Sequence, residues 1–141
     1  MLNHSPALIA QKLLILGSVG TDVSANGLWP VYAANEPPSP DNCITCYDTA
    51  GIPAGRTSPD GETVMYYGLQ IRVRANNYGS AMQKASQIGE FLDEVYDMSV
   101  TIGSDVYTIH AFISRNAPIY IGKQIPASKL DIVTINVNMV I

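Results

Sequence analysis

A chain of 141 residues falls in the range of one domain, and at this size folding hides roughly 70% of the surface an unfolded chain exposes, so one core suffices. Apolar residues make up 47% of the chain and charged residues 14%, well below the roughly 25% charge of an average soluble domain; such a surface is expected where neighbouring subunits cover it, or on a β-rich monomer with a Ser/Thr/Asn surface. The net charge is −4 and the eight basic residues form no cluster, which excludes strong or sequence-reading nucleic-acid binding, since that needs a basic stripe.

The apolar run from Ala7 to Leu16 contains Lys12 and is half the length of a membrane span of about 20 residues. No basic segment or small-residue cleavage site frames it as a signal peptide. The reading is a chain kept in a cytoplasm, with Cys43 and Cys46 as reduced thiols.

Ser5 and Pro6 form an N-cap and first-turn pair, and Gly17 stands where a helix C-cap belongs. The spacing predicts a first helix over residues 6–16, apolar around most of its circumference through Leu8, Ile9, Leu13 and Leu16, to lie against a sheet or a neighbour. Gly27 to Tyr32 is short and aromatic. Pro37, Pro38 and Pro40 then prevent regular pairing. Cys43 to Asp48 reads as a strand ended by Thr49-Ala50-Gly51. Residues 51–62, with three glycines and two prolines, read as a long exposed loop.

Over Met65 to Asn76 the alternation is clear: Leu69, Ile71, Val73 and Ala75 on a dry face, Gln70, Arg72, Arg74 and Asn76 on a wet one. Ala81, Ala85, Ile88, Leu92 and Val95 recur at helical spacing and predict a second helix over about residues 79–97. Thr101 to Ser114 reads as a hairpin turning at Gly103-Ser104-Asp105, with Tyr107, Ile109, Ala111 and Ile113 on one face. Pro118 to Gly122 adds a short extension, and Val133, Ile135, Val137, Met139 and Ile141 alternate to the end of the chain. The expected fold class is α+β: a single antiparallel or mixed sheet with two helices packed on one face, in the order α-β-β-loop-β-α-β-β-β, closing in a meander.

Chemistry is sparse. Cys43 and Cys46 have the spacing of a redox or zinc half-site, but residues three apart on a strand face opposite sides, and His4 and His110 are the only histidines to complete a metal set. His110 has no serine elbow beside it and reads as a hydrogen-bonded strand histidine. Gly17-Ser18-Val19-Gly20 and Gly122-Lys123-Gln124 are fragments of a phosphate loop without its full spacing. No catalytic residue, cofactor or metal is expected.

Glu90, Asp93, Glu94 and Asp97 crowd the end of the second helix, where the macrodipole disfavours anions by about 0.3–1 kcal/mol each, and both pairs four apart repel. They form either a solvated face or a surface for a basic partner or a DNA passage. The candidate contact residues are these four together with Arg56 and Asp60 in the loop and Arg72 and Arg74 on the strand.

The run Pro38-Ser39-Pro40-Asp41-Asn42-Cys43-Ile44-Thr45-Cys46-Tyr47-Asp48-Thr49-Ala50-Gly51, followed by Leu69-Gln70-Ile71-Arg72-Val73-Arg74-Ala75 leading into a helix at Tyr78, resembles the tail terminator proteins of tailed bacteriophages, also labelled minor capsid or tail completion proteins. The likeness covers roughly residues 1–100, from the first helix through Trp29 to the Arg-bearing strand. It implies a small single-domain virion protein, assembled in the bacterial host cytoplasm. It also implies a hexameric homo-oligomer ring on the tail tube protein that stops polymerisation and presents a surface to the head-tail connector protein. DNA would pass through such a ring without specific binding, since an acidic lumen repels phosphates. A head-closure or other neck component is the alternative within virion proteins, and a small hydrolase using the acidic helix the alternative outside them.

Overall fold

The computed structural model describes residues 2–25, 27–56, 63–123 and 130–141; of residues 53–56 and 63–65 it describes the backbone alone. Helix α1 is Pro6–Leu16, started as its sequence dictates: the Ser5 hydroxyl accepts the Leu8 N–H at 3.2 Å, and Pro6 costs nothing in a first turn that has no partner for its nitrogen. Gly17 has φ −79°, so its value lies not in a left-handed cap but in close packing. Any Cβ there would collide with the Phe91 ring.

Strand β1 is Val31–Ala33, β2 is Cys43–Arg56 and β3 is Thr63–Ala75. β1 runs parallel to β2, while β2 and β3 form an antiparallel hairpin in which Cys43 faces Arg74 and Cys46 faces Ile71. The sequence reading stopped β2 near Gly51 and assigned residues 51–62 to a loop. Instead β2 continues to Arg56, with register shifts between Thr49 and Ile52 and between Pro53 and Gly55. Gly51, at φ +69°, supplies the left-handed residue that lets an irregularity bend the strand without ending it.

Helix α2 is Tyr78–Glu94, capped by the Asn77 side chain accepting the Ser80 N–H at 2.7 Å. It is shorter than the expected 79–97: Val95 is already extended, and Asp97 lies outside the helix at φ +48°. The predicted stripe is nonetheless the buried one. Ala81, Ala85 and Ile88 are fully buried, Leu92 is 1% exposed and Val95 5%.

After α2 come β4 (Met98–Ile102), β5 (Asp105–Ile109), β6 (Ala111–Ile113), β7 (Ile119–Lys123) and β8 (Asp131–Val140). They do not form the expected meander. β4 and β5 make a separate two-stranded sheet, and β8 is inserted beside β3, with Ile71 opposite Ile135 and Val73 opposite Val133. The far side of β8 is shared, β6 taking Asn138 to Val140 and β7 taking Asp131 to Thr134. The main sheet therefore runs β1-β2-β3-β8-β6 with β7 also on β8, mixed rather than purely antiparallel. Its dry face, with Ile44, Cys46, Leu69, Ile71, Val73, Val133, Ile135 and Val137, shares one core with the buried stripes of both helices. This is the α+β arrangement expected.

Candidate functional site

Parts of the chain reach beyond what the core needs, starting with the hairpin. β8 pairs with β3 only from Tyr67 to Ala75, and β1 pairs with β2 only from Ile44 to Cys46. From Ile52 to Arg56 and from Thr63 to Tyr66 the two strands pair only with each other among the described strands. An isolated two-stranded ribbon is marginal in water. Arg56 lies at the end of this arm; its side chain and the whole of Asp60 fall outside the described residues.

The sheet edge is a second such part. β7 pairs with β8 alone among the described strands, and Ile119, Tyr120 and Ile121 are 49%, 40% and 57% exposed. An unpaired apolar edge is a template for another chain. Tyr120 is held from inside, its hydroxyl donating to Asp131 Oδ1 at 2.7 Å and its ring meeting Tyr78 edge-on at 4.9 Å between centroids. Lys123 Nζ also donates to that oxygen, at 3.1 Å. The Tyr120 hydrogen bond first, then Lys123, holds the Asp131 carboxyl below its ordinary value despite burial.

The strand arginines are placed differently from the sequence expectation of a wet face. Arg74 is fully buried and belongs to the fold, not to a contact surface. Its Nε donates to the Asp41 carbonyl at 3.1 Å, and Nη1 and Nη2 donate to the Pro37 and Pro40 carbonyls at 2.6 Å each. Prolines leave carbonyls with no ladder to join, and a fork of five donors is suited to collect them. Glu36 supplies the countercharge, 4.0 Å from Arg74 Nη1 and 3.3 Å from Arg72 Nε. The segment from Glu36 to Asp41 thus roofs part of the polar sheet face.

Two of the four acidic residues expected to form one face have partners. Asp93 is bidentate with Arg115, and Asp97 lies 2.6 Å from His110 Nδ1. Glu90 and Glu94 remain exposed. Because Asp97 is off the helix, it is no longer stacked four residues above Asp93. Sequence reasoning missed Arg115, which reaches α2 from the segment between β6 and β7. It also missed the environment of Lys84, whose position just off the helical stripe carried no signal of burial.

Cys43 and Cys46 are both buried free thiols on opposite faces of β2, with burial pushing the Cys46 thiol up to about 12, which leaves it a poor nucleophile. His110 sits at the break between β5 and β6, not within a strand, and is half exposed. Among the described residues no group of three or more His, Cys, Asp or Glu gathers to hold a metal, and no helix is long and apolar enough to cross a membrane.

The molecule thus presents a projecting arm, an open apolar edge and a sparsely charged surface. No curated protein matches the chain. A family model described as bacteriophage tail terminator protein matches residues 7–138, from α1 nearly to the end of β8. On that match the chain belongs to the bacteriophage tail terminator protein family and is a structural component of a phage tail.

Proposed function

We propose that this terminator acts as a single domain that closes as a homo-oligomeric, hexameric ring on the end of the tail tube, without catalysis. There it stops addition of tube subunits and offers the joining surface to the head-tail connector, while DNA passes through unbound. Assembly takes place in the bacterial host cytoplasm. The observation that carries the reading is the β2–β3 arm, whose last described residues pair only with each other among the described strands. A ribbon of that kind gains its stability from a neighbour. The open β7 edge supports the same reading, because addition across an unpaired strand joins subunits through main-chain hydrogen bonds. Of the candidate contact residues, Arg56 on the arm and Glu90 and Glu94 on α2 are the best placed for partners. Asp93, Asp97 and Arg72 can contribute through whatever their internal partners leave uncovered, and Asp60 lies outside the described residues.

The test is a phage lacking this protein. Electron microscopy is expected to show filled heads beside unjoined tails of irregular, often excessive length, because an open tube has no intrinsic stopping point. Normal joined particles would remove the reading.

A further inference from the structure

Lys84 is a cation in the wrong place for a single subunit. It is 9% exposed, and among the described residues no carboxylate lies within ion-pair distance of it. Its ammonium has three donors, of which one goes to Gln87 Oε1 at 3.1 Å, and it lies 5.5 Å from the centroid of the Trp29 ring. Burial pushes its pKa down. A charge taken out of water without a countercharge is costly, and neither an amide oxygen nor a ring face replaces a carboxylate.

The surroundings leave room for one. Lys84 and Trp29 together line a cleft of about 330 Å³, otherwise lined by Asn42, Ser80, Gln83 and Gln87. Every one of these four can donate a hydrogen bond and none is anionic. The same two residues also line a second cleft of about 300 Å³ on the side of Leu28, which is 83% exposed.

The complementary group is on the same helix. Glu94 is exposed and makes no hydrogen bond or ion pair among the described residues. It ends α2, where the helix dipole disfavours an anion, and it stands four residues from Glu90. Ten residues along a helix is about 15 Å, too far for Lys84 and Glu94 of one chain to meet. Two copies offset along α2 bring them together and relieve both.

We propose that the cleft around Lys84 and Trp29 receives the Glu94 carboxylate of a second copy of this chain, as the repeating contact of the ring. The contact rests on the ring reading above. It is heterologous, one patch meeting a different patch, which is the kind of contact that closes rings when the rotation permits.

The test reverses each charge. Lys84→Glu places two carboxylates in the contact and Glu94→Lys places two ammonium groups there, so each variant alone is expected to associate at least about tenfold more weakly than wild type, in sedimentation and in capping of tail tubes. An equimolar mixture of the two is expected to recover wild-type association, because every contact in an alternating ring is again of opposite charge. Circular dichroism checks folding. If Lys84→Glu does not fold, Lys84→Met and Glu94→Gln replace the pair, and the double variant is expected to lose no more than either single one. Wild-type association in both charge reversals, no recovery in the mixture, or additive losses would overturn the contact while leaving the ring intact. A wild-type chain that stays monomeric both in solution and on tubes would overturn the ring reading, and the contact with it.

Discussion

Arg115 grips Asp93 with both ends of its fork, Nε donating to Oδ1 and Nη2 to Oδ2, each at 2.7 Å. Its third nitrogen, Nη1, donates to the Asn116 carbonyl at 3.0 Å, and Asn116 in turn donates its backbone N–H to Asn136 of β8. Gly89 makes this possible, because a Cβ there would lie 2.8 Å from Nη1. The pair therefore ties α2 to the link before β7. The hydrogen bond to Arg115 holds the Asp93 carboxyl below its ordinary value. Arg115→Ala is expected to cost about 1 kcal/mol, the upper end for an exposed pair, with the loss shrinking in high salt. A salt-independent loss in urea titrations would place the effect in packing instead.

Leu92 is 1% exposed and sits in the core beneath α2. Leu92→Ala is expected to cost about 2–5 kcal/mol, read as a lower denaturant midpoint at unchanged slope. An unchanged midpoint would reject its place in the core.

Arg74→Met removes the donors to three carbonyls and leaves Glu36, only 9% exposed, beside Arg72 alone. The expected loss is about 3–5 kcal/mol, the range for breaking a buried ion pair from one side. Amide exchange should quicken first across residues 34–42. Exchange unchanged there would show that the prolines hold the segment without the arginine.

Shortening the arm separates folding from assembly. Replacing residues 53–65 with Asn-Gly leaves Ile52 and Tyr66, already a register pair, joined by a two-residue turn. The melting temperature of the isolated subunit is expected to stay nearly unchanged, since residues 53–56 and 63–65 pair only with each other among the described strands, while capping of tail tubes is lost. Capping at normal affinity by the shortened chain would sink the role given to the arm.

Acid should weaken the β7 edge. The Asp131 carboxyl is held below its ordinary value of 3.8 by Tyr120 and then Lys123. Its contribution to stability is therefore fully present above that value and lost as pH falls through the lower folded one. Asp131→Asn is expected to flatten the acid limb of a stability profile below pH 3.8 while lowering stability at neutral pH. An unchanged acid limb would show that the pair with Tyr120 does not persist in solution.

Local pattern is enough to place α1, the buried stripe of α2, the dry faces of β3 and β8, and, through the run from Pro38 to Ala75, the family. These are one-dimensional patterns: each residue's burial repeats with the period of its own element, and a cap such as Ser5 acts within three residues. The other features depend on residues far apart in the chain. Gly51 reads as a stop, yet pairing with Tyr66 and its neighbours carries the strand through it. Arg74 reads as wet because alternation says which way a side chain points and not what lies above it. The place of β8 between β3 and β7, the meeting of Arg115 with Asp93, and the burial of Lys84 beside Trp29 leave no local trace, since each is set by which distant segment the fold brings alongside.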